Sequence, residues 1–136
     1  MEQRDFILRE IERLGQVLSA IRQKLFGGKD RLAISVEKEV DDAKGILRKE
    51  VEFDFDKLLN LSEDETAKYL GGFKAFDAAN IEQLADYMAE IGTSIDNDKS
   101  RIYLEKALHL YGLTNMKTAT YSFEREAKIK AVKTEL

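Results

Sequence analysis

The strongest periodic pattern in the chain lies at Asn80–Leu113. Ile81, Leu84, Ala85, Met88 and Ile91 recur at helical spacing, and Ile102, Tyr103, Leu104, Ala107, Leu108 and Tyr111 do so again. Gly92 and the polar run Asp96-Asn97-Asp98 interrupt the pattern, which predicts two helices joined by a short turn. Asn80 is placed to cap the first helix and Asp98 the second. Ala85 and Ala107 sit among bulky neighbours, so each marks a point where another helix can approach closely.

Upstream, Ile7, Ile11, Leu14, Leu18, Ile21 and Leu25 form an alternating four-three seam that predicts a helix over residues 3–26. Leu8 and Val17 widen this face, and Gly15 lies beside it. A dimeric coiled coil carries charge at the flanking positions. Here Glu10 and Lys24 are the only oppositely charged pair on one flank, and Leu8, Gly15 and Arg22 line the other. The helix is therefore expected to pack among several helices of its own chain. A second copy covering what remains of the face, as a weak homodimer, is compatible with the pattern. Gly27-Gly28 is expected to end the helix and Asp30 to cap the next one, whose apolar positions are Leu32, Val36, Val40, Ala43, Leu47 and Val51. Gly45 is expected to kink or break it. Its outer side carries Glu37, Glu39, Asp41 and Asp42.

The stretch Phe53–Leu61 predicts a short helix running into Leu58 and Leu59, since an isolated strand has nothing to pair with. Ser62-Glu63-Asp64-Glu65 is a capping box, and its helix should stop near Gly71-Gly72. Thr114 or Asn115 is expected to open a last helix carrying Met116, Ala119, Phe123, Ala127, Ile129 and Val132. The pattern gives an all-α fold in one helical domain, residues 1–136. It divides into an N-terminal helical hairpin (1–52), short helices (53–79), and a second hairpin with a C-terminal capping helix (80–136).

Within the second hairpin, Ile81-x2-Leu84-Ala85-x2-Met88 followed by Ser100-x3-Leu104-x2-Ala107 resembles the tetratricopeptide repeat in degenerate form. Ile81 stands for the family's Trp, Ala85 for its Gly, Met88 for its Tyr and Ser100 for its Ala, while Gly112 takes the place of the closing Pro. At the family's period, Met116-x2-Ala119-Thr120-x2-Phe123 falls in the same register. That implies a second unit which stops after its first helix and acts as a cap. The layout of the whole chain resembles a family of small, functionally uncharacterised all-helical bacterial proteins. The shared features are the opening helix RDFILREIERLGQVLSAIRQKLFG, the acidic middle, the step from Leu58-Leu59-Asn60-Leu61 into Ser62–Glu65, and the tetratricopeptide-like C-terminal half. This likeness implies a fold and no particular activity.

Composition sharpens the picture by exclusion. A net charge of −4 lacks the basic face that nucleic-acid binding requires. There is no Cys, and no apolar run reaches membrane-spanning length. The start of the chain is charged throughout, without the apolar core of a signal, so a cytoplasmic location is expected. Charge is uneven: Asp30–Glu65 holds twelve acidic and six basic residues, while Asn115–Leu136 holds three acidic and five basic. Solvated surface, or two faces of one fold attracting each other, accounts for this.

Candidate chemistry is sparse. The single histidine, His109, follows Glu105 and Arg101 at helical spacing and is expected to be a surface ion-pair partner. Asp96-x-Asp98-x-Ser100 begins like a calcium loop, but Arg101 and Ala107 fall where Gly and Glu are required. Carboxylate pairs such as Asp54/Asp56 and Glu37/Asp41 come without a Glu-x-x-His motif and read as solvated faces. No catalytic, cofactor or metal residue is assigned. Four tyrosines, Tyr87, Tyr103, Tyr111 and Tyr121, concentrate in and after the second hairpin and form the candidate interaction surface, tyrosine suiting a half-buried junction or a groove alike. The expected function is a non-enzymatic protein-interaction module or scaffold engaging a protein or peptide. The alternative is a small-ligand protein or enzyme using Asp, Glu and Tyr in a helical pocket.

Overall fold

The computed structural model describes residues 2–26 and 33–136. It holds seven helices and, among the described residues, no strand. They are α1 (Glu2–Phe26), α2 (Ala33–Val51), α3 (Phe55–Leu59), α4 (Glu63–Gly71), α5 (Ala78–Ser94), α6 (Lys99–Thr118) and α7 (Phe123–Glu135). The expected roles of Gly27-Gly28, Asp30 and Leu32 fall outside the described residues.

Helix α5 is the axis of the molecule because its apolar residues cover more than one face. Ile81, Leu84, Ala85, Tyr87, Met88 and Ile91 are all buried. Its tightest neighbour is α6, which runs antiparallel to it. Ser100 Oγ donates to the Gly92 carbonyl at 2.5 Å, and Tyr111 OH donates to Asp86 Oδ1 at 2.6 Å. Gly92 does not end α5. It lies inside the helix, where an added Cβ would stand 2.7 Å from Leu104 Cγ and Cδ2, so the missing side chain is what lets α6 close in. The turn itself is Ile95–Asp98, and Asp98 makes no side-chain capping bond there; Asn97 Oδ1 accepts from the Lys99 amide instead, at 2.8 Å.

The N-cap of α5 is Asp77 and not Asn80: Asp77 Oδ1 accepts from the Asn80 amide at 2.9 Å. Asn80 is buried one turn further in. Its Nδ2 donates to the Ile11 and Ala75 carbonyls at 2.9 and 2.8 Å, so it fastens α1 to the start of α5. Gly15 faces the same side chain, 3.2 Å from where its Cβ would be, and this is the close access the sequence suggested. Helix α1 runs parallel to α5 and sends Leu14, Leu18, Ile21 and Leu25 into the core. Helix α2 lies against α1 and buries Val36, Val40, Ala43 and Leu47. It passes through Gly45 without a break and ends at Val51, after which Glu52 turns the chain with a left-handed φ of 57°.

Helix α4 begins as the sequence predicts, and the short α3 runs into Leu58 and Leu59 as expected, with Asp54 as its N-cap. Asp54 accepts from the Lys57 amide, and Ser62 and Glu65 complete the reciprocal capping box. An aromatic cluster fixes this segment, with the Phe53 ring 5.4, 5.5 and 5.2 Å from those of Tyr69, Phe73 and Phe76. The C-terminal part departs from expectation. Helix α6 continues through Thr114 and Asn115 to Thr118, and Ala119 ends it in the left-handed region at φ 51°. Helix α7 starts only at Phe123, with Ser122 accepting from the Arg125 amide. The segment Met116–Phe123 is thus the end of one helix, a connection and the start of the next, not a continuous repeat helix. Met116 and Phe123 are on the surface, not in the core.

Candidate functional site

Helices α1 and α7 flank α5 on neighbouring sides and leave an open cleft of ≈ 380 Å³ between them. The cleft follows from a stripe of acids on an otherwise apolar helix: Glu82, Asp86 and Glu90 recur every four residues of α5 and share one face. Each finds a cation, Glu90 from α1 and Glu82 and Asp86 from α7. Arg22 of α1 grips Glu90 with two bonds of 2.9 Å and donates to Gln83 Oε1 at 3.3 Å. Lys128 of α7 reaches Glu82 at 3.0 Å and Asp86 at 3.2 Å. The buried Arg125 donates to Glu82 at 3.2 and 3.1 Å and to Asn115 at 2.9 Å.

Asp86 is the centre of this network. It accepts from Tyr111 OH, binds Lys128, and lies 3.8 Å from Arg22. Burial, with the hydrogen bond to Asp86 behind it, pushes the Tyr111 hydroxyl well above its ordinary acidity range. Burial penalises the Glu82 carboxylate, yet the bonds from Lys128 and Arg125 outweigh it and hold that group below its usual range. The bonds to Glu90 keep Arg22 firmly protonated. Each acid of the stripe therefore has a cation beside it. Of the apolar residues that line the cleft, Ala131 is exposed, Ala89 is half-buried and Val132 is already buried.

The four tyrosines do not share a surface. Tyr87, Tyr103 and Tyr111 are buried in the core, and only Tyr121 is exposed, its ring edge-on to Phe123 at 4.9 Å. The first three point inward because they lie on the faces along which α5 and α6 meet their neighbours; Phe55 packs against Tyr87 and Tyr103. Of the four, Tyr111 alone lines the cleft.

His109 is not an ion-pair partner. Arg101 takes Glu105 at 2.9 Å, while His109 is half-buried with Nδ1 shielded and unbonded. Burial, reinforced by the charge of Lys106, lowers its proton affinity. Lys106 is itself buried and donates at 2.7 Å to both the Leu61 carbonyl and Thr66 Oγ1, which ties α6 to the start of α4. Asp54 and Asp56 are engaged by Arg48 and Lys44, each at 2.9 Å. Among the described residues no three His, Cys, Asp or Glu side chains converge, and no helix is long and apolar enough to cross a membrane.

The basic excess of the last segment is thus spent on α5, not on the acidic middle of the chain. Sequence reasoning missed Arg22, Glu82, Asp86, Glu90, Arg125 and Lys128. The four-residue spacing of the three acids was the available signal. Comparison with protein-family models, curated proteins and solved structures finds no match for this chain.

Proposed function

We propose that the protein is a non-enzymatic helical interaction module, and that the α1–α7 cleft is its docking groove for a peptide or helix of another protein. The observation that carries this reading is an open cleft in which Arg22, Lys128 and the acids of α5 satisfy one another while Ala131 and one side of Ala89 stay uncovered. A ligand there gains by covering Ala131 and the open side of Ala89, and the charged walls set its orientation. The tetratricopeptide-like kinship and the cytoplasmic location expected from the sequence belong to the same reading.

The test is selection of binders from a random peptide library, followed by amide-shift mapping on the labelled protein. Shifts centred on Ala89, Thr93, Ala131 and Val132, abolished by Ala131→Arg at unchanged melting temperature, support the groove. Selected peptides that map elsewhere overturn it. The small-ligand alternative is favoured by the convergence of Asp86, Glu90 and Tyr111 on a cleft of ≈ 380 Å³. A fragment screen separates the two readings: fragments that perturb Tyr111, in the absence of any peptide binder, select the alternative.

A further inference from the structure

Two basic side chains lie one turn apart where α6 meets the start of α4, and among the described residues neither is bonded to an acid. Lys106 is 2% exposed and gives two of its three protons to the Leu61 carbonyl and Thr66 Oγ1, both at 2.7 Å. Thr66 Oγ1 relays the bond by donating to the Ser62 carbonyl, also at 2.7 Å. Glu65 acts on Lys106 only at a distance. One buried cation therefore fastens the first turn of α4. Its far end is held separately through Tyr69, which stacks on Phe53 and accepts from the Asp54 amide at 2.9 Å. At nine residues, α4 is too short to persist as a helix once undocked.

His109 follows Lys106 by three residues, so the two share one side of α6. Its Nδ1 is shielded from solvent and has no hydrogen-bond partner. A neutral imidazole bears this, because Nδ1 can be its bare acceptor nitrogen. An imidazolium does not: both nitrogens are then donors, and Nδ1–H becomes a buried, charged donor with nothing to bond, close to the ammonium of Lys106. We propose that His109 and Lys106 form an acid-operated latch, in which a proton on His109 undocks α4 from α6. Undocking hydrates both cations and gives Nδ1–H water to bond. The nearby acids do not supply that partner: Glu105 on α6 is taken by Arg101, and Glu63 on α4 is exposed. Both favour the proton from a distance, burial and Lys106 oppose it, and the opposition prevails, so His109 holds its proton less tightly docked than free. Docking has its full strength above the ordinary value of 6.5 and weakens as pH falls toward the docked-state value, below which the effect levels off. The latch is separate from the α1–α7 groove and does not depend on it.

Amide hydrogen exchange, read at several urea concentrations, tests the latch. Protection factors, which correct for the intrinsic pH dependence of exchange, should fall about threefold or more across Thr66–Leu70 between pH 7.5 and pH 5. These amides should also depend on urea less than those of α5, because a local opening exposes little surface. In His109→Gln, whose side chain cannot charge, the pH response of α4 should disappear. In Glu63→Gln, a change on the exposed surface that removes the α4 charge favouring the proton, the response should grow. Circular dichroism checks that both variants keep the fold. An equal pH response in His109→Gln overturns the proposal, as do α4 amides that share the urea dependence of α5 and exchange only on global unfolding. Protection of α4 that holds or rises in acid overturns it as well, and would show the imidazolium accommodated with α4 still docked.

Discussion

Gly92 and Gly45 both lie inside helices, yet a methyl group meets different surroundings at each. At Gly92 the new carbon would stand 2.7 Å from the Leu104 side chain and 3.2 Å from the Ser100 carbonyl; at Gly45 nothing lies within 4 Å. Alanine gains about 1 kcal/mol of helix propensity at either site. Overpacking at a helix junction costs about 1–3 kcal/mol, so Gly92→Ala should be neutral to destabilising by about 2 kcal/mol, while Gly45→Ala should stabilise by up to about 1 kcal/mol. Denaturant midpoints check both. His109 gives a second prediction at this scale. Its proton affinity is lowered in the fold, by burial first and by Lys106 second. As pH falls below the ordinary value of 6.5, the unfolded chain therefore takes up the proton before the folded one. Stability should decline from about pH 6.5 down through the folded-state value and then level off in this contribution. Urea midpoints at pH 7.5 and pH 5 should fall further for the wild type than for His109→Gln. Parallel losses would mean that the imidazole is free to charge in the fold.

Among the elements, α7 depends most on polar contacts. Few of its apolar residues are buried, and it meets α5 through Arg125 and Lys128 on Glu82. Glu82→Ala leaves the guanidinium of Arg125 buried without its carboxylate, a loss of about 2–4 kcal/mol. Hydrogen exchange should then quicken across Phe123–Glu135 before it does in α5; uniform protection would show α7 held by other contacts. The same contrast explains what the sequence could reveal. Helices α1, α2, α4 and the α5–α6 hairpin are legible because their signals are local: a periodic apolar face, and a capping box that needs only Ser62 and Glu65. The start of α5 was misplaced because Asp77 and Asn80 are both capping residues, and only the tertiary demand of Ile11 and Ala75 for a donor draws Asn80 inward. The end of α6 was misplaced because Thr114 caps well in principle, but here its hydroxyl bonds the Leu110 carbonyl within a continuing helix. The cleft was illegible for a similar reason. Its acids sit on one helix, but their cations come from α1 and α7, and local spacing carries no information about which elements become neighbours.

For the whole molecule, the question is whether α5–α7 could persist without the N-terminal helix. Leu14, Leu18, Ile21 and Leu25 form one wall of a continuous core that also includes Val36, Val40, Leu47 and Leu84. Removing residues 1–28 strips that wall and exposes the apolar face of α2. It also removes the Ile11 carbonyl that Asn80 Nδ2 uses and the Arg22 guanidinium that neutralises Glu90. Four buried aliphatic side chains contribute about 6–12 kcal/mol of burial among them, comparable to the whole stability of a domain this size, and each orphaned polar group adds a further cost. The truncated chain should therefore lose its sharp thermal transition and bind a hydrophobic dye, with helical circular dichroism partly retained. Its aggregation should be driven by Val36, Val40 and Leu47. Deleting residues 1–6 alone is the informative contrast, because it removes the start of α1, where Phe6 is exposed, and leaves every named core contact in place. That shorter deletion should melt within a few degrees of the full chain. A cooperative, monomeric product from the longer deletion would instead show that α5–α7 carries its own core, and that α1 is an accessory laid against it.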